Sequence, residues 1–385
     1  MKTTFACLTL TAGLFFFAGT MKAQQDTTKK AEFKPSGKVW GYAFGDYYFK
    51  THADSANRGN SQYSNMPVNA NSFELRRVYL GYDYNISERF SSEFLLSYEG
   101  QTGSDGSRTT FVKAANLRWK NLYKGADLIF GLQATPAFPM MSEKIWGYRS
   151  DEKTILDMRK LSGSADLGIG LQGKCGSDGQ FGYDFLVANG SGTKLEGDIF
   201  KKFYGDVYAK FMDKKLIVDL YGDFERTNMT PDFHKYRNTG KLTLAWNTDA
   251  LTIGAEAFLQ IQHNYVGFVD TSMSPVHTDT TDAKAMGVSI FVRGTIIKDK
   301  LAFFARYDMY NPDLGYKKDY IYTMGGAPVT ESFATAGIDF TPAKNVHIMP
   351  NVWFNSYMSR AKGASGKVKS DYDFVPRLTF WYIFK

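Results

Sequence analysis

Two cysteines in 385 residues, Cys7 and Cys175, leave no disulfide framework to read. Past the first two dozen residues the chain also has no apolar run of about 18 residues or more, and its mean hydropathy is below zero, which excludes a helical membrane protein. Histidine is scarce. His52, His234, His263, His277 and His347 are scattered, and only His263 and His277 fall near one loop, so no converging set of metal ligands is expected. Pro-rich and Ser-rich stretches and charge runs are missing, so no linker divides the length into soluble domains. The net charge of +7 is spread too thinly for a nucleic-acid-binding face, but it is compatible with a pore that favours anions.

What is present is a rhythm. Aromatics make up 16% of the chain, with 24 Tyr and 31 Phe, and they alternate with polar residues along short segments. In "RFSSEFLLSYEG", Phe90, Phe94, Leu96 and Tyr98 alternate with Ser91, Glu93, Ser97 and Glu99; a slip of one residue would put the glutamates in lipid. In "FELRRVYLGYDY" the same template sets Val78, Leu80, Tyr82 and Tyr84 outside and Arg77, Tyr79 and Asp83 inside, and the first strand places Trp40, Tyr42 and Phe44 on one face. Connections alternate between tight turns ("NISE", "MDKK", "NTDA", "IKDK", "TPAKN") and long loops. The pattern predicts an all-β fold: a transmembrane up-and-down antiparallel β-barrel of about sixteen strands, with short periplasmic turns and long extracellular loops. A barrel of that size encloses an aqueous lumen.

Lys2 followed by "FACLTLTAGLFFFAG" reads as an export signal cleaved after Ala23. The domain reading is therefore signal peptide 1–23, polar leader 24–37 and barrel 38–385, located in a bacterial outer membrane.

The stretch "FELRRVYLGYDYNISERFSSEFLLSYEG", followed by "ADLIFGLQATPAFP", a long loop and "ADLGIGLQGK", resembles outer-membrane porins of the phosphate-selective O/P type. Arg76 and Arg77 match that family's double-basic strand start, and Gly131 to Pro136 match its "GLQ-TP" strand end, which opens the constriction region. "KAQQ" and the aromatic C-terminus look like outer-membrane proteins of the Bacteroidota, although Lys385 follows the terminal Phe384. The resemblance implies a passive channel without cofactor or catalysis, a homotrimer, and contact with outer-membrane lipid and lipopolysaccharide. The family's phosphate-binding lysines do not form a cluster in the sequence, so phosphate specificity does not follow.

The alternation turns Arg77, Arg293, Arg306 and Arg377 into the lumen, with Glu93, Asp184, Asp219, Glu256 and Asp308 as acidic counterparts. The segment 135–164 is the most distinctive loop. Its Met140, Ile145, Trp146, Ile155 and Leu156 need a wall to bury against, which predicts a fold into the lumen that brings Lys144, Arg149 and Arg159 to the pore. A short helix is expected in its middle, starting at Ser150 to Glu152 and ending near Lys160 and Gly163. The pore-lining candidates are thus Arg77, Glu93, Lys144, Arg149, Arg159, Arg293, Arg306 and Arg377. Gly168, Gly170 and Gly173 spell G-x-G-x-x-G, but a turn rather than a helix follows, so they read as small strand residues. Two alternatives stay open: a substrate-specific channel or a scaffold in secretion or assembly, and a barrel hydrolase in which a Ser or Asp reaches a histidine such as lumen-facing His347.

Overall fold

The computed structural model describes residues 32–385 apart from 60, 140, 228–233, 271–276, 318–319, 325–328 and 363–367. The expected export signal, most of the leader, and Met140 lie outside the described residues. The strands are β1 (Ser36–Phe49), β2 (Asn71–Asn85), β3 (Phe90–Tyr98), β4 (Phe111–Tyr123), β5 (Ala126–Ala134), β6 (Ala165–Cys175), β7 (Phe181–Ala188) and β8 (Lys202–Phe211). They continue as β9 (Leu216–Arg226), β10 (Tyr236–Asn247), β11 (Leu251–Asp270), β12 (His277–Ile297), β13 (Leu301–Asn311), β14 (Tyr320–Met324), β15 (Val329–Ala343), β16 (Val346–Lys362) and β17 (Val368–Phe384). Sixteen of them form a closed antiparallel barrel in which β17 returns to pair with β1. The remaining strand, β14, lies outside that ring and pairs with the far end of β11.

The wall is apolar outside and polar inside. Leu220 is 51% exposed while its neighbour Asp219 is 0% exposed, an order that is unfavourable in water and favourable where the outer solvent is lipid. Phe94, Phe303 and Phe380 face outward, and Glu93, Arg306 and Arg377 face inward. The short connections (86–89, 212–215, 248–250, 298–300) and both ends of the ring lie at one rim, and the long loops at the other.

Four local readings differ from the alternation. In β1 the face carrying Trp40, Tyr42 and Phe44 is the lumen face, since Tyr42 lies against Tyr79. The outward positions are Gly41, Ala43 and Gly45. A Cβ at Gly41 would stand 2.4 Å from the Phe384 ring, and one at Gly45 would stand 2.6 Å from that of Phe380, so these glycines are sockets for the aromatic rings of β17. Second, the β1/β2 register shifts so that Phe44 faces Arg77 and Gly45 faces Leu75. The extra residue is Arg76, and this bulge turns it inward beside Arg77. Third, β11 and β12 run far past the expected strand, with a second bulge near Asn264. Fourth, loop 135–164 carries two short helices, α1 (Ser142–Trp146) and α2 (Ile155–Met158), and Ser150 to Glu152 form a buried turn between them instead of a helix start.

Candidate functional site

The loop after β5 folds into the lumen because its apolar side chains find inward-facing partners there. Ala137, Phe138, Ile155, Leu156 and Leu161 pack on Leu186, Tyr204, Tyr221 and Phe258, while Met141, Ile145, Trp146 and Tyr148 pack on Tyr208, Ile217, Phe291, Phe304 and Met349. Burying a side chain of this size is worth about 1.5–3 kcal/mol, so the two clusters hold the loop strongly.

Polar groups fix its orientation. Arg76 donates to the carbonyls of Ser150 and Asp151, and Arg306 donates to that of Lys153. Arg377 Nη2 lies 2.6 Å from Asp151 Oδ1, which also accepts from Thr335 at 3.1 Å. Trp353 Nε1 donates to Glu152 Oε2 at 3.0 Å, and Trp146 Nε1 donates to the Glu152 carbonyl at 2.9 Å. Burial pushes the Asp151 carboxyl up to about 6 against the pull of Arg377, so at neutral pH it is still the anion of this pair.

The candidate residues therefore divide. Arg377 and Arg306 are buried and turned onto the loop or onto Asp308 rather than toward open lumen. Arg159 pairs with Glu331 at 2.5 Å and lies over Tyr310, and Arg293 Nε donates to the Ile145 carbonyl at 3.0 Å. These four arginines act as tethers. The other four, like Arg293, border cavities along the loop. Arg77 forks onto Glu99 at 3.1 and 3.2 Å, Arg149 bridges Glu143 and Asp157 at 3.2 and 3.0 Å, Glu93 accepts from Asn116 at 3.0 Å, and Lys144 projects from α1.

A chain of cavities runs past the loop. The first, about 280 Å³, is lined by Phe44, Arg76, Arg77, Glu99, Arg149 and Lys153 among others. It shares Phe44 and Arg149 with a second of about 240 Å³. That one shares Lys144 with a third of about 720 Å³, toward the short-turn rim. The third contains Lys144, Lys174 and Lys210, which are far apart in sequence; the absence of a lysine cluster in the linear chain is corrected here by the barrel's curvature. Burial and neighbouring Lys174 hold the Lys144 ammonium below the ordinary lysine range.

Sequence reasoning missed Arg76, Tyr63 and Lys241 as site residues, and Lys174 and Lys210 as the neighbours of Lys144. Two adjacent arginines in a spanning strand are a legible signal, because strict alternation would leave one of them in lipid. Tyr63 had none: it comes from loop 51–70, which also turns inward, and it packs on Tyr48 and Trp353 while donating to Asp46 at 3.0 Å.

The hydrolase alternative makes a geometric demand. Asp339 Oδ1 does lie 2.9 Å from His347 Nδ1, but the nearby hydroxyl, Thr341 Oγ1, contacts the same Nδ1 at 3.3 Å. A base that activates a nucleophile needs the carboxylate on one ring nitrogen and the hydroxyl on the other. Tyr148 also donates to Asp339, at 3.3 Å, which makes this group another anchor for the loop.

No family model matches the sequence, and no curated protein matches it. Solved structures do. The outer membrane channel DcaP of Acinetobacter baumannii is 14% identical with a TM-score of 0.65, over 91% of this chain and 97% of that one. An anion-selective porin from Comamonas acidovorans is 12% identical with a TM-score of 0.59, over 91% and 100%. OmpT of Vibrio cholerae is 11% identical with a TM-score of 0.56, over 92% and 99%. At these identities the likeness is one of fold: a porin-like outer-membrane barrel.

Proposed function

We propose that this chain is an outer-membrane diffusion channel for small hydrophilic solutes that favours anions. One observation carries the anion preference: the three cavities along the loop are each lined by more basic than acidic side chains. The largest has Arg118, Lys144, Lys174, Lys210 and Arg293 against Glu93 and Asp127, and the outermost has Arg76, Arg77, Arg149, Lys153 and Lys160 against Glu99 and Glu152. The rim cavity beyond them is balanced, with Lys38 and Arg118 against Asp83 and Glu93. Wall charges of one sign concentrate their counter-ions in a low-dielectric channel. The small size of the two outer cavities favours a narrow solute range over a wide sieve. The reading includes export by residues 1–23, three copies in the membrane, and contact with lipopolysaccharide. The Asp339–His347 pair serves this reading as a loop anchor, without chemistry.

The test is a planar bilayer with a KCl gradient. The reversal potential should report PCl/PK above unity; a value at or below unity defeats the anion preference, and a barrel that is inserted but does not conduct defeats the channel. A liposome-swelling series should show monosaccharides entering faster than disaccharides. The anion preference should also weaken as pH rises through the alkaline range, starting below the ordinary lysine value of about 10.4. The sign follows from Lys144, whose ammonium is held below the ordinary lysine range by burial and by Lys174, so it gives up its charge before the exposed lysines do. Lys144→Gln should flatten the first part of that decline, and an unchanged profile would remove Lys144 from the conducting path.

A further inference from the structure

Between the two apolar clusters that seat the loop runs a polar belt. Cross-strand pairing sets Asp219 beside Thr243, Thr243 beside Glu256, Glu256 beside Ser289, and Ser289 beside Asp308, from β9 to β13. Asp206 on β8 continues it diagonally, with Asp184 opposite on β7. All of these residues are buried. On two of the strands the belt residue has an apolar neighbour on both sides. On β9, Tyr221 belongs to one cluster and Ile217 to the other, with Asp219 between; on β8, Tyr204 and Tyr208 flank Asp206 in the same way. The loop grips both clusters, so it lies across the belt. Lys241 ties it down: Nζ donates to the Ala137 carbonyl at 2.6 Å and to Ser142 Oγ at 3.2 Å, and lies 3.6 Å from Asp219.

The covered belt is acidic. Asp184, Asp206, Asp219, Glu256 and Asp308 face the loop beside two buried cations, Lys241 and Arg306. The oxygens of Asp206 and Asp219 meet no hydrogen-bond donor among the described residues. Desolvation of such carboxylates opposes the seating of the loop, and the apolar clusters outweigh it. We infer that the loop is a charge screen: it sets the ion preference by sealing this acidic belt away from permeating ions, and Lys241 is the positioning residue that holds the screen in place. The inference rests on the channel reading above and names what determines its selectivity.

The experiment neutralises the belt with D206N/D219N/E256Q in two barrels, one intact and one with residues 142–161 excised. The excised segment carries five basic and four acidic residues, so its own charge nearly cancels. In the intact barrel the triple change should leave PCl/PK where it was. In the excised barrel, whose conductance should rise and which should admit larger sugars, it should raise PCl/PK several-fold. Equal shifts in both barrels, or no shift in the excised one, overturn the screen. Lys241→Met in the full-length chain gives a second reading that keeps the loop: its PCl/PK should fall toward cations and be restored by the triple change. An unchanged ratio in a folded K241M barrel removes Lys241 from that role. A wild-type ratio at or below unity would instead count against the anion preference alone, because the screen is read from differences between variants.

Discussion

Replacing Arg377 with Ala should cost the barrel about 3–5 kcal/mol, the range for removing one partner of a buried ion pair. Arg377 has no exposed side-chain surface; its guanidinium holds Asp151 at 2.6 Å and Asn351 at 2.7 Å and lies 4.0 Å from Asp46. Removing it leaves Asp151, in the turn that anchors the loop, without its cation. Arg76 and Thr335 still touch the same turn, which places the expected loss at the lower end of the range. Asp151→Asn added to Arg377→Ala should recover part of the loss, because the uncompensated charge is then gone. Arg377→Glu is more than a change of pore charge, since it sets a third carboxylate beside Asp46 and Asp151 and should expel the loop. Urea unfolding in lipid, together with single-channel noise, checks both parts. An Arg377→Ala barrel with the wild-type midpoint and a quiet open current would mean that Arg377 faces water.

Leu96→Arg should cost about 2–4 kcal/mol if the residue sits near the bilayer midplane. It pairs with Leu80 on β2, which is also turned to lipid. Adjacent Ser97 looks like a tolerant lumen position by alternation, but it is fully buried and donates to Glu99 at 3.0 Å, so an arginine there overpacks the Arg77–Glu99 group. The informative control is Ser91→Arg, on the same face of β3 but lining the open rim cavity. Its refolding free energy should stay close to wild type. Equal losses at positions 91 and 96 would contradict the register of β3.

The period-two pattern was enough to read the barrel and its closure, because lipid penalises every misplaced polar side chain and that penalty repeats strand after strand; the turn of the loop rested instead on its apolar residues. It was silent wherever backbone or tertiary contact overrules the period. The bulge at Arg76 adds a residue without altering composition, so its effect is visible only in the pairing with Phe44 and Gly45. Trp40, Tyr42 and Phe44 resemble lipid-facing residues but line the lumen, because the outer face of β1 is filled by rings from β17. Alternation offered inward positions for the candidate residues, but it could not give the split between tethers and residues that border the cavities. That split depends on which carbonyls of the loop come within reach of which arginine.

The glycine sockets of β1 also bear on the order of events in folding. Gly41 pairs with Phe384 and Gly45 with Phe380, contacts that join the two ends of the chain. Loop-closure entropy makes such distant contacts slow to form, so the β1–β17 seam closes after the hairpins. A sheet that closes last carries every earlier slip to its final edge. At that edge the rings of Phe384 and Phe380 sit over Gly41 and Gly45, and a slip of two residues, the smallest that keeps both faces, would set them against Ala43 and Tyr47 or against Val39 and Ala43. The seam therefore carries its own register mark: an offset sheet sets side chains against these rings where the correctly counted barrel offers two bare backbones.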